Sequence, residues 1–383
     1  MPAPLSRRAF LARSTIAGCS LAASPLVTPV SFAAAPWETR LVVIILRGGM
    51  DGLAVVQPHG APEYAGLRPD RQAGPDLDGF FALHPALAPL MGLWARGDLG
   101  FVHAVSTPYR DKRSHFDGQD LLEAGTVTLE GVRDGWLNRM LGQMTGVQAR
   151  TAFAVGRGEM KVLAGPAPVA DWTPDAKLTI SPQAMRLAEL VMQDDPAFHA
   201  ALSEAAMLSQ TRGTRTKGKP HQKIAAFVAE QLRGDTRVAS FSINGWDTHR
   251  AQQRALNGAL GRLSDAILTL RDGVGAAIWE RTAIVAMTEF GRTARLNGTG
   301  GTDHGTGGAM VLAGGAIRGG RVLGDWPGLD EADLYGRRDL MPTGDVRAPA
   351  AWLMRGLAGL ERSALERVVF PGLDMGRDPG LLL

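Results

Sequence analysis

The 383-residue sequence contains one cysteine, Cys19, and it falls within the first thirty-five residues. A chain cleaved after Ala35 would hold no thiol. That excludes disulfides, thiolate metal ligands and a cysteine nucleophile. Aromatic residues make up only 6%, so a carbohydrate-stacking groove has no support from composition. The N-terminal apolar stretch is also too broken to cross a bilayer: spanning takes about 20 predominantly apolar residues, and Arg13, Pro25 and Pro29 interrupt it. Charge of one sign is missing as well. Of the 41 Lys and Arg, Arg7, Arg8 and Arg13 lie in the first thirty-five residues, which hold no acid; the other 38 equal the 38 Asp and Glu. From Pro36 onward the chain has no net charge and offers no global field for nucleic acid or anionic lipid.

What the N-terminus does contain is a three-part targeting pattern. Ser6-Arg7-Arg8-Ala9-Phe10-Leu11 resembles the twin-arginine export motif, a weakly apolar stretch follows, and Ala33-Ala34-Ala35 supplies the small side chains of a cleavage site. Residues 1–35 are therefore expected to be a signal peptide. The expected partners are the twin-arginine translocation machinery and a signal peptidase, and the expected location is periplasmic or extracellular. Ile16-Ala17-Gly18-Cys19 also fits a loose lipoprotein pattern that would leave Cys19 as a lipid anchor; Arg13 and the shortness of the apolar segment argue against it.

With 45% hydrophobic residues, residues 36–383 can bury a core and are expected to form a single domain. Leu41 to Leu46 is a continuous β-branched run, which reads as a strand buried on both faces. Similar runs occur at Leu99 to Val105, Thr151 to Val155, Arg237 to Ile243, Thr282 to Met287 and Ala309 to Ala313. Between them Ala86 to Arg96, Ala184 to Met192, Lys223 to Leu232 and Ala251 to Arg271 carry apolar residues at helical spacing. The alternation predicts an α/β fold: a mostly parallel central sheet flanked by helices. Ser209 to Lys219 reads as a solvated loop, and no internal repeat is found.

In such sheets ligands bind outside the carboxyl ends of the strands, and the residues there are polar. Asp51 follows the first strand, Asp247 and His249 follow the one ending at Ile243, and Glu289 follows the one ending at Met287. Asp303 and His304 precede the strand at Ala309. Each alone also reads as a turn residue or helix cap. Together they form an oxygen and imidazole set suited to a divalent ion: Zn, Mn or Fe, or Ca or Mg for the oxygen-richer half. Ser114 stands where a helix begins, either as its cap or as a metal-activated nucleophile. His115, between polar neighbours, is a candidate ligand or acid. Arg292 and Arg47 are candidates to neutralise a leaving charge.

The motifs Gly48-Gly49-Met50-Asp51-Gly52, Ser114-His115-Phe116-Asp117-Gly118-Gln119, Gly245-Trp246-Asp247-Thr248-His249 and Thr288-Glu289-Phe290-Gly291-Arg292 resemble a family of bacterial proteins with twin-arginine signals described as sulfatase-like. More distantly, Leu260 to Ile267, Arg281 to Thr288, and Pro342-Thr343-Gly344-Asp345 with its following helix resemble the alkaline phosphatase superfamily. There Asp345 reads as a helix cap. The resemblance implies an alkaline-phosphatase-like fold and a two-metal site. Asp51 would be a ligand near the nucleophile Ser114, with Asp247, His249 and His304 around the other metal. Glu289 falls where the superfamily has the Asp of Asp-His, and Phe290 takes the histidine's place; Asp303 or His115 would have to compensate. The expected function is metal-dependent hydrolysis of a small anionic ester, a phosphate or sulfate. The alternative is a non-catalytic exported binding or assembly protein with a degenerate site.

Overall fold

The computed structural model describes residues 37–156, 160–173 and 218–383. The expected signal segment and the expected helix Ala184 to Met192 lie outside the described residues, as does most of Ser209 to Lys219. The strands are β1 (Arg40–Arg47), β2 (Val56–Gln57), β3 (Ala82–Leu83), β4 (Leu99–Ser106), β5 (Ala152–Val155), β6 (Ala170–Trp172), β7 (Val238–Asn244), β8 (Thr282–Met287), β9 (Gly308–Ala313), β10 (Val322–Leu323) and β11 (Gly344–Asp345). Nine of them form one sheet in the order β10-β4-β9-β8-β1-β7-β5-β6, with β11 beside β4; β2 and β3 pair separately. Every pairing in the large sheet is parallel except those of β9, which runs against both β4 and β8.

β1 shows why this sheet is two-sided. Val42, Ile44 and Leu46 enter one core, Leu41, Val43 and Ile45 the other, and all are buried. Full burial of each such side chain contributes roughly 1.5–3 kcal/mol, so the strand has no solvent face to spare for a polar residue. The first core is covered by the helices α1 (Pro220–Arg233) and α2 (Gln252–Val274). Along α2, Leu256, Ala259, Leu260, Leu263, Ile267 and Leu270 are buried at the three- and four-residue spacing of a helix face. The second core is covered by the helix Trp136–Gly142 and by the helix Arg347–Ala358. Asp345 accepts from the Arg347 backbone N–H at 2.9 Å and pairs with its guanidinium, which fixes the entry to that last helix. Among the described residues no helix is long and apolar enough to cross a membrane.

The reversed strand has a consequence for function. The carboxyl ends of β1, β4, β7 and β8 lie along one edge, and because β9 is antiparallel its amino end lies there too. The loop carrying Asp303 and His304 therefore reaches the same edge as the loops after β7 and β8. Gly48 lets the first of these loops approach: with φ +123° it adopts a conformation L side chains rarely take, and a Cβ there would sit 2.6 Å from the Asp247 backbone nitrogen.

Candidate metal centre

Three loops and one helix terminus meet at that edge. The helix α3 (His115–Ala124) is capped by Ser114, whose Oγ accepts from the Asp117 N–H at 3.4 Å. Its inner side is Gly118, pressed against Phe290, and the buried Leu121 and Leu122. The segment 244–250 is tied to the loop before β9: Asn297 and Thr299 both donate to the His249 carbonyl, and the Thr302 N–H donates to the Thr248 carbonyl.

The contacts at the centre converge on one atom. Asp247 Oδ1 lies 3.0 Å from His249 Nε2, 3.3 Å from His115 Nε2 and 3.4 Å from His304 Nε2. The Nε2 atoms of His249 and His304 are 3.0 Å apart. Each ring is held from behind through Nδ1: His115 by Glu289 Oε1 at 2.8 Å, His249 by Asp303 Oδ1 at 3.0 Å and His304 by the Arg113 carbonyl at 2.8 Å. Carboxylates and carbonyls only accept, so in each ring Nδ1 carries a proton and Nε2 is the nitrogen turned inward, the one that would offer a lone pair to an ion. His115 Nε2 is buried without a hydrogen-bond partner; its approach to Asp247 is close but not in hydrogen-bonding geometry.

Lone pairs facing one another and a carboxylate oxygen repel unless positive charge stands among them. Formal charge gives the same result. Asp247, Glu289 and Asp303 face a single guanidinium, Arg292, a deficit of two. Nitrogen and oxygen ligands at about 2.0–2.1 Å from an ion such as zinc lie about 3.3 Å from one another in a tetrahedron; Asp247 Oδ1 stands at 3.0–3.4 Å from each of the three Nε2 atoms. The ligating atoms of His115, Asp247 and His304 all lie within 4.8 Å of one another; His249 is outside that mutually close set and meets Asp247 and His304 alone. Two imidazoles and one carboxylate, each imidazole braced by an outer acceptor, suit zinc, manganese or iron better than calcium or magnesium and leave a position open.

The electrostatics follow from the same contacts. Burial pushes the His115 imidazole down, but the hydrogen bond and charge of Glu289, aided by Asp247, outweigh it and raise the ring above the ordinary histidine range. His304 is held below that range by its burial. Burial pushes Asp247 up, and Arg292 overrides it and keeps the carboxyl low. Glu289 is likewise kept low against its burial by His115 and Gln119. Asp303 is lowered by Asn297 and then His249.

Several expected roles are revised by these positions. Asp51 stands away from the cluster. Its two oxygens take a bidentate pair from Arg68, at 2.7 and 3.0 Å, and Oδ2 also accepts from Gln252 Nε2 at 2.6 Å. At 1% exposure it has neither the lone pairs nor the access of a ligand; burial would raise it, and the charge and hydrogen bonds of Arg68 hold it low. Glu289 is 0% exposed, and its Oε1 accepts from Gly48 N–H, His115 and Gln119, so it braces His115 from behind. Asp303 does the same for His249. Arg292, expected to meet a leaving group, is buried with its side chain 0% exposed. It donates from Nη1 to Asp247 at 2.9 Å and from Nε to Thr302 Oγ1 at 3.2 Å, and therefore aims the carboxylate. Arg47 is paired with buried Glu123 at 2.6 Å and donates to Gln119 Oε1. Phe290 lies under the cluster, stacked on His115 with ring centroids 5.0 Å apart and on Tyr109 at 6.1 Å.

Sequence reading passed over Gln119, which links Arg47 to Glu289, and Gln252, whose Oε1 accepts from Thr248 and Thr302. Gln119 closes the Ser114-His115-Phe116-Asp117-Gly118-Gln119 motif, and that position is the one signal the sequence offers for it. The bracing by the Arg113 carbonyl had none, since a backbone oxygen is common to every residue.

No curated protein matches the sequence. Solved structures with a related arrangement include the 2-O GAG sulfatase BT1596, at 10% identity and TM-score 0.35 over 74% of this chain; the chain spans 65% of that sulfatase. The C-terminal periplasmic domain of EcEptC from Escherichia coli, in complex with Zn, gives 12% identity and TM-score 0.41, covering 90% of this chain and 92% of that one. TAB5 alkaline phosphatase, a mutant with Mg bound, gives 11% and 0.37, covering 73% and 91%. At such scores none of these likenesses bears on chemistry. Kinship is shown by a match over residues 86–348, more than half of the chain, which belongs to the family described as Protein of unknown function (DUF1501).

Proposed function

We propose that the protein is an exported, metal-dependent hydrolase of a phosphate or sulfate ester, with one divalent ion held by Nε2 of His115 and His304 and by Asp247 and a fourth position left open; His249 stands beside them against Asp247. The observation that carries this reading is the convergence of three imidazole Nε2 atoms on a single carboxylate oxygen, each ring fixed in the tautomer a metal requires. A bound ion would supply Lewis acidity at the ester's oxygens. The chain's own residues do the rest. Glu289, Asp303 and the Arg113 carbonyl hold the rings, Arg292 aims Asp247, and Ser114, next to His115 at the start of α3, is the candidate nucleophile in the positive field of that helix end. Export rests on the Arg7-Arg8 segment and would deliver a folded protein already loaded with its ion.

Ser114→Ala is expected to lower turnover of aryl phosphate or sulfate esters by more than about 100-fold while the metal content stays at the wild-type level. Unchanged turnover together with absent metal would remove the enzymatic reading. Glu289→Gln tests the bracing separately. It is expected to weaken metal affinity by about 10–100-fold, measured by competition with a chromogenic chelator.

A second reading has a specific observation in its favour. Asp51 is locked to Arg68 and Phe290 occupies the floor, so the second cation that the resemblance implies has no place at Asp51. A non-catalytic exported binding or assembly protein would keep the single metal for shape. It would take up metal and yet turn over neither ester.

A further inference from the structure

We infer that Gln252 is a positioning residue for the metal centre, carrying the orientation set by the buried Arg68–Asp51 pair through Thr302 to Arg292 and so to the ligand Asp247. The inference rests on the metal-centre reading above and adds to it a part of the protein that stands away from the ion. Gln252 opens α2. With Arg68, Asp51, Thr302 and Arg292, all of them buried, it forms an unbroken hydrogen-bonded chain that ends on Asp247.

Donor and acceptor chemistry fixes the direction of every link. The Asp51 carboxylate only accepts, so Gln252 turns its amide N–H to it, with Nε2 2.6 Å from Oδ2. The amide oxygen then faces away and accepts from Thr302 Oγ1 at 2.5 Å and from Thr248 Oγ1 at 2.9 Å. With its proton spent on Gln252, Thr302 Oγ1 offers a lone pair to Arg292 Nε at 3.2 Å. Arg292 Nη2 donates to the Thr302 carbonyl at 2.5 Å, so one residue grips the guanidinium at two nitrogens. The third, Nη1, is thereby pointed at Asp247 Oδ1, 2.9 Å away. A reversed amide would set its oxygen against the Asp51 carboxylate, a repulsion that burial leaves unrelieved. Asp51 does not hold the ion, yet its charge decides which way Gln252 faces and, further along the chain, where Asp247 is aimed.

Chelator competition on the zinc-loaded protein tests this, together with the visible absorption bands of the cobalt-substituted protein, which report ligand geometry and do not follow stability. Gln252→Met keeps the length of the side chain and cuts the chain at its centre. Thr302→Val keeps the shape and removes the hydroxyl that meets Arg292. Each is expected to weaken zinc affinity by about 10-fold or more, the range for losing an outer partner of a ligand, and to shift the cobalt bands. Thr302→Ser restores the hydroxyl and is expected to bind zinc as the wild type does. Thr248→Val removes the other hydroxyl on the same amide oxygen and leaves the Thr302–Arg292 link in place, so it is also expected to keep wild-type affinity and bands. A melting curve without metal shows which variants are folded; if Gln252→Met is not, the Thr302 variants and Thr248→Val decide. Wild-type affinity and bands in Thr302→Val overturn the inference and leave the metal centre standing. Equal losses in Thr302→Val and Thr248→Val overturn it as well, since they would mark both hydroxyls as packing alone. A wild type that takes up no zinc removes the metal-centre reading and the inference with it.

Discussion

Asp247→Asn is expected to lower affinity for zinc by more than about 100-fold, beyond the effect of losing an outer partner, and to abolish ester turnover with it. The asparagine keeps an acceptor for Arg292, so the buried guanidinium is not left alone and the fold survives. What it removes is the negative charge on which His115, His249 and His304 converge. With Asp247 neutral, the three carboxylates of the cluster fall to two, and the formal demand for a divalent ion falls with them. Competition against a chelator gives the affinity, and a melting curve without metal shows that the variant remains folded. Retained tight binding would mean that the ion, if any, sits elsewhere.

The second large effect concerns stability. Arg68→Ala is expected to destabilise the protein by about 3–5 kcal/mol, the cost of removing one partner from a buried ion pair. Arg68 and Asp51 are 2% and 1% exposed, and Arg68 also donates to the Thr293 and Ala294 carbonyls, so four acceptor contacts are orphaned at once. The pH dependence has a definite sign. In the wild type the folded-state Asp51 carboxyl is depressed. Its contribution is fully present above the unfolded value, about 3.9, and is lost only as the pH falls through the lower folded one. In the variant the same carboxyl keeps its burial without the cation, so its folded value is raised and its cost shrinks as the pH falls toward the ordinary carboxylate range. The gap between wild type and variant in urea denaturation should therefore be widest near neutral pH and narrow on acidification. A gap of under 1 kcal/mol at neutral pH would show that the pair is dispensable.

The sheet was legible in the sequence where the physics is local. Leu41 to Leu46 and Thr282 to Met287 are strands because a strand buried on both faces needs a continuous apolar run, and short runs of that kind announce themselves. The direction of β9 was not legible, since Ala309 to Ala313 reads equally well either way. α2 was found to within a few residues because its apolar stripe covers six turns. The edge of the sheet was also correctly identified as the place where Asp247, His249, Glu289, Asp303 and His304 gather. The division of labour among them was not, because a ligand and its brace are the same residue types. Whether Glu289 holds an ion or holds His115 depends on which side of the ring it meets. Asp51 was misjudged for a related reason. Its glycine-rich turn after β1 suits a ligand, and nothing near it in sequence shows that Arg68, seventeen residues on, folds back to take both oxygens. Charge pairing across a core is tertiary and leaves no periodic trace.

X-ray absorption on natively purified protein tests the central claim most directly, since it reports the identity of a bound metal and the atoms around it together. The proposed centre predicts one divalent ion per chain, with a mixed first shell of imidazole nitrogen and carboxylate oxygen at about 2.0–2.2 Å. Protein without a metal edge, or a first shell made of oxygen alone, would contradict it.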